Sequence, residues 1–141
     1  MKKDYNHLRR IARYIVQHYG PAKSWHRGSL LMWLDWALCE GFVMLARDGE
    51  EIIGLMIARP VMDGAHSRFS ECGFDPEGKC IFVDLVIRTH PQALACLLFA
   101  GLRRFGTRPE VGWNNLKHDR ITITSTERLK RAILRKELYG R

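Results

Sequence analysis

No stretch of this sequence is long and apolar enough to be a membrane helix, which needs ~20 such residues; charged residues interrupt every apolar run. Behind the lysines of MKKDYNHLRR there is no apolar segment and no cleavage site, so no secretory signal is expected. Proline is scarce, at five residues, and with an apolar share of 46% this argues for a folded globule rather than a disordered chain. Internal repeats, low-complexity segments and linker-like stretches are missing as well. The four cysteines, Cys39, Cys72, Cys80 and Cys96, have no paired spacing and sit in or beside apolar segments. They read as reduced, buried thiols of a cytoplasmic protein rather than a disulfide framework, and their spacing fits no zinc pattern, so no metal is expected. What remains is a single domain over residues 1–141, long enough for one core without staples.

What the chain has in excess is positive charge, a net +8, unevenly placed. Residues 1–30 carry seven basic and one acidic residue, and residues 102–141 carry eleven and four; the middle holds five basic against ten acidic. Two basic ends around a mildly acidic middle suit nucleic acid, an anionic membrane surface or an acidic protein partner, or are two solvated helix faces. The final segment, TERLKRAILRKELYGR, is basic and amphipathic, but no helix-turn-helix or zinc-finger signature accompanies it.

Apolar residues recur at helical spacing from Asp4 to Tyr19 (Leu8, Ile11, Ala12, Ile15, Val16, Tyr19), and Gly20-Pro21 ends that helix. Ser29 is placed to cap a second helix running to Glu40, apolar almost all round, with Gly41 as its stop. Phe42–Ala46 and Ile52–Ala58 read as strands joined by an Asp48-Gly49 hairpin, with Pro60 and Asp63-Gly64 ending the second. Residues 62–78 form a loop long enough to be functional. A second hairpin, Val111–Asn114 and Ile121–Thr124 about a turn at Asn115 to Arg120, leads into a last helix. That helix starts with a Thr124/Glu127 capping box and turns Leu129, Ala132 and Ile133 inward.

The centre of the chain is Lys79–Gly106. Cys80–Ile87 is a near-continuous apolar run, as expected of a strand covered on both faces, and Asp84 interrupts it. The helix after it places Leu94, Leu97, Leu98, Gly101, Leu102 and Phe105 on one stripe. The element order is ααββ, loop, βα, ββα: an α+β fold with a central, mostly antiparallel sheet.

This order, with a DG hairpin ahead of a strand–helix unit, resembles the GNAT superfamily of N-acetyltransferases over most of the chain. In that fold the central strand and the next helix grip an acyl donor. By this resemblance Val86, Ile87, Arg88, His90 and Gln92 would contact the donor. The superfamily's pyrophosphate loop, R/Q-x-x-G-x-G/A, is replaced here by Arg88-Thr89-His90-Pro91-Gln92-Ala93-Leu94, which has no glycine, and Pro91 lacks an amide donor. The chain is also similar to the toxin-activating lysine acyltransferases, GNAT-like enzymes that take fatty acyl groups from acyl carrier protein. Trp25-His26-Arg27 before the second helix, Arg47-Asp48-Gly49 in the turn and Phe82-Val83-Asp84 on the central strand carry that similarity. It implies His26 and Asp84 as a catalytic pair, and as donor an acyl thioester, either acyl carrier protein or acyl-CoA.

Amide formation from a thioester needs a base for the amine and a stabiliser for the tetrahedral intermediate. Imidazole suits the first task and a buried carboxylate can orient it. The plainer readings are a solvated loop histidine and a structural ion pair of Asp84 with Arg59 or Arg88, because a buried carboxylate needs a partner. A GNAT-like protein without catalysis, binding nucleic acid or an acidic protein, is the alternative function.

Overall fold

The computed structural model describes residues 5–115 and 120–139. It is an α+β protein with four helices and a five-stranded mixed sheet. Two helices come first, α1 (Tyr5–His18) and α2 (Arg27–Glu40), joined through a 3₁₀ turn at Gly20–Ser24. Strands β1 (Val43–Asp48), β2 (Glu51–Val61) and β3 (Cys80–Arg88) follow, then α3 (Ala93–Phe105), β4 (Glu110–Asn115), β5 (Arg120–Ser125) and α4 (Thr126–Tyr139). The strands lie in sequence order, and every neighbouring pair is antiparallel except β3 and β4, which α3 connects in parallel. The turn between the last two strands and the chain's final two residues, both read above from sequence, lie outside the described residues.

α1 buries the expected stripe of Leu8, Ile11, Ala12 and Ile15. Gly41, at φ 78°, closes α2 in a left-handed conformation open to glycine, and Gly49, at φ 62°, makes the β1–β2 turn. The start of α2 differs from expectation: His26 is the cap residue, its Nδ1 accepting from Ser29 N–H at 3.2 Å, so Ser29 lies inside the first turn. The strand β2 also runs further than its proline implied. Pro60 sits in register opposite Ile81, and its carbonyl accepts instead from Asp75 N–H of the following loop, so the missing amide costs the ladder little. At α4, Ser125 rather than Thr124 does the capping, its Oγ accepting from Arg128 N–H at 3.1 Å. Ala132, expected inward, is exposed, while Ile133 is buried. Of the cysteines only Cys80 is buried; Cys39 and Cys96 are exposed on the open faces of α2 and α3, and Cys72 is exposed in the loop before β3.

Gly54 and Met56 of β2 face α3: a Cβ on Gly54 would lie 2.9 Å from Ala93 Cβ, and one on Gly101 would lie 2.8 Å from Met56 Cε. Strand alternation then turns Ile53, Leu55 and Ile57 to the opposite face, where they join α1 and α2 in the main core. The helix α3 packs chiefly over β1 and β2, while α4 packs over β4 and β5. The face of β3 lies between the two helices.

Candidate functional site

β3 changes character halfway along. From Cys80 to Val83 it is paired on both sides, with β2 and with β4. At Asp84 the register with β2 slips: Ile57 faces Leu85 and Ala58 faces Val83, so Asp84 is the extra residue of a β-bulge. A bulge bends the strand that carries it. The pairing with β4 stops at Val83 and Trp113, and from Asp84 to Arg88 β3 is paired with β2 alone. The two parallel strands thus part at the bulge, and their separation opens a cleft.

That cleft has a volume of about 670 Å³, within the range of small-molecule sites. Met56, Ile81, Val83 and Val86 form its floor; Leu94, Leu98, Gly101 and Leu102 of α3 form one wall, and Leu129 and Ile133 of α4 the other. Most of the apolar stripe read on α3 therefore faces this cleft: Leu97 is buried in the closed core, Phe105 is buried at the cleft's edge, and Leu94, Leu98, Gly101 and Leu102 are partly open. Tyr19, Pro21, Trp25 and Phe69 close the cleft where the strands diverge, and Asn114 and Asn115 add polar groups along β4. The cleft is apolar along its length and amide-lined at one edge.

Asp84 is 8% exposed and lines the cleft at the bulge. Its Oδ2 accepts from Arg59 Nε at 3.0 Å, and its Oδ1 accepts from Ser70 N–H at 3.0 Å. Burial pushes the carboxyl above its ordinary value, against the pull of Arg59 and the Ser70 amide. Arg59, 1% exposed, lies over the Phe82 ring; its Nη1 donates to the carbonyl of Gly73, and its Nη2 to the carbonyl of Arg68 and, at 3.4 Å, to Asp84 Oδ1. Of the two ion-pair partners considered from sequence, Arg59 is the one present.

His26 is exposed at the start of α2, next to Trp25, which reaches the cleft. No hydrogen bond or ion pair joins it to Asp84; its Nδ1 faces the amide and hydroxyl of Ser29. With Nδ1 accepting, a neutral imidazole carries its proton on Nε2. Of the residues expected along the donor, Val86 is 45% exposed and lines the cleft. Ile87 is buried in the core. Arg88 Nη1 donates to Pro91 O at 3.2 Å, His90 Nδ1 lies 3.3 Å from Thr89 Oγ1, and Gln92 stands as the cap residue of α3 without a side-chain bond. Arg88 and His90 thus bond within the β3–α3 turn itself.

Sequence reasoning missed Phe69, Arg59's role in the loop and the α4 wall. Only the charge of Arg59 inside an apolar strand signalled any of them. Among the described residues, no three His, Cys, Asp or Glu side chains gather as a metal site, and no helix is long and apolar enough to cross a membrane. Compared with known proteins, the chain matches no family model, no curated protein and no solved structure.

Proposed function

We propose that this protein is a GNAT-like acyltransferase that holds the acyl chain or the arm of a thioester donor in the β3–β4 cleft and passes the acyl group to an amine, such as a protein lysine. The observation that carries this reading is the apolar cleft at the point where β3 leaves β4. An alkyl chain gains about 0.8 kcal/mol per methylene buried in such a lining, and the strand edge freed beyond Asp84 can pair with amides of a donor arm. The donor is acyl carrier protein or acyl-CoA; the glycine-free turn at Arg88–Leu94 favours the carrier protein, whose acidity suits the basic ends of the chain.

In the reaction the amine nitrogen attacks the thioester carbonyl carbon, a C–N bond forms, the C–S bond breaks, and the thiolate leaves. The amine's proton passes to His26 Nδ1, the basic nitrogen of the neutral ring, and displaces the bond that this nitrogen accepts from Ser29 N–H. Asp84, at the bulge that lines the cleft, acts by its charge, which favours the imidazolium formed at His26. The second reading, binding of nucleic acid or an acidic protein without catalysis, has one observation in its favour: Asp84 and His26 Nδ1 are both already engaged by groups of the protein itself.

Incubation with loaded carrier protein, and separately with acyl-CoA, together with lysine-containing acceptors, is expected to give an acyl mass shift. His26→Asn is the informative variant, because asparagine still caps a helix while removing the base; transfer is expected to be lost in it and in Asp84→Asn. Absence of transfer from both donors, with salt-dependent binding to nucleic acid, decides for the second reading.

A further inference from the structure

The loop between β2 and β3 is tied to the sheet by one buried ion pair. Arg59 donates to the carbonyls of Arg68 and Gly73, and Asp84 accepts from the amide of Ser70. Three loop residues within a span of six are thus held by two side chains from adjacent strands. Ser70 has φ 57°, a left-handed conformation that a non-glycine residue keeps only when its surroundings impose it; its bond to Asp84 is such a constraint. Arg68 and residues 70–73 are otherwise exposed.

Phe69 is the exception. It lies inside this span, packs on Trp25 and Trp33 with ring centroids 5.3 and 5.4 Å away, and lines the cleft. The same carboxylate that marks the bulge therefore fixes the backbone of the residue beside Phe69.

We infer that Arg59 and Asp84 are positioning residues that latch the 68–73 loop to the sheet, setting Phe69 as the end wall of the cleft and so the length of chain the cleft accepts. The chain-length half of this inference rests on the reading of the cleft as an acyl site; the latch half stands on the loop geometry alone. Phe69 is the specificity-determining side chain, and the ion pair acts through it.

Two variants release the latch differently. Asp84→Asn turns one acceptor of the pair into a donor facing Arg59. Ser70→Pro, at an exposed position, removes the donated amide and forbids a φ of 57°. Phe69→Ala removes the wall and leaves the latch. Each is confirmed as folded by circular dichroism before use. The first readout is tryptic cleavage after Arg68, expected to rise about tenfold in both latch variants, as local opening becomes easier. The second is displacement of a fluorescent apolar probe by saturated fatty acids of increasing length. Phe69→Ala is expected to move the preferred length upward, the latch variants to move it the same way, and Phe69→Ala/Ser70→Pro to move it no further than either alone. A residue that served stability only would lower the melting temperature without shifting the preferred length. Unchanged cleavage after Arg68 in folded latch variants overturns the latch. Faster cleavage with an unchanged length preference overturns the wall. If no fatty acid displaces the probe from the unmodified protein, the acyl reading of the cleft fails, and cleavage after Arg68 still decides the latch.

Discussion

The two halves of β3 are built from similar residues and end in different environments. Cys80–Val83 has a strand on each side and is largely buried; Asp84–Arg88 has a strand on one side, and Val86 is open. The first half is a structural strand, closed by Phe82 and Cys80 against Val61. The second is the floor of a cleft. What separates them is one residue, the unpartnered Asp84 of the bulge, and the ion pair that compensates for its burial. A carboxylate inside an apolar run marks the boundary between a closed and an open part of the sheet.

The largest effect is expected at that boundary. Removing the cation with Arg59→Ala leaves a buried carboxylate unpaired and should cost about 3–5 kcal/mol, measured as a shift of the urea midpoint. A cost under about 1 kcal/mol would mean the site admits water freely, and the boundary would lose its meaning. In the closed half, Phe82→Ala should cost a similar 3–5 kcal/mol through the cavity it leaves. In the open half, Val86→Ala should change stability by no more than about 0.5 kcal/mol while weakening binding of an apolar probe. Equal costs at Phe82 and Val86 would erase the comparison.

Gly101 sharpens the comparison from the α3 side. Gly101→Ala improves helix propensity by up to about 1 kcal/mol, yet its methyl enters the cleft against Met56 Cε. Stability is expected to hold or rise slightly while chain affinity falls about fourfold, the equivalent of one methylene; denaturation and probe displacement separate the two.

The smallest effect is chemical. Burial pushes the Cys80 thiol up to about 11, so a disulfide reagent at pH 8 should label Cys39, Cys72 and Cys96 quickly and Cys80 only on unfolding. Because the folded state holds this proton more tightly than the unfolded state, the associated stability is present below pH ~9. It should be lost as pH rises through about 11, visible as a falling melting temperature.

Much of this architecture was legible beforehand. The order of helices and strands, the hairpin at Asp48-Gly49 and the need of Asp84 for a partner all follow from local patterns: periodicity, turn chemistry and the cost of a buried charge. The errors were local competitions as well. His26 caps α2 in place of Ser29 because its imidazole nitrogen can reach the Ser29 amide, a role that histidine fills less often than serine. Three cysteines expected to be buried are exposed because an apolar neighbourhood in sequence records neither which helix face carries Cys39 and Cys96 nor that Cys72 lies in an open loop.

The sequence by itself determined the class of fold, the two basic ends and the presence of one charge that had to be paired. Periodicity and charge are properties of short stretches, and short stretches carry them. Tertiary structure alone decided that most of the α3 stripe faces a cleft, that Phe69 reaches it, and that β3 and β4 separate at Asp84. Each of these depends on where a residue distant in sequence arrives, and on a one-residue slip in strand register that no local pattern records.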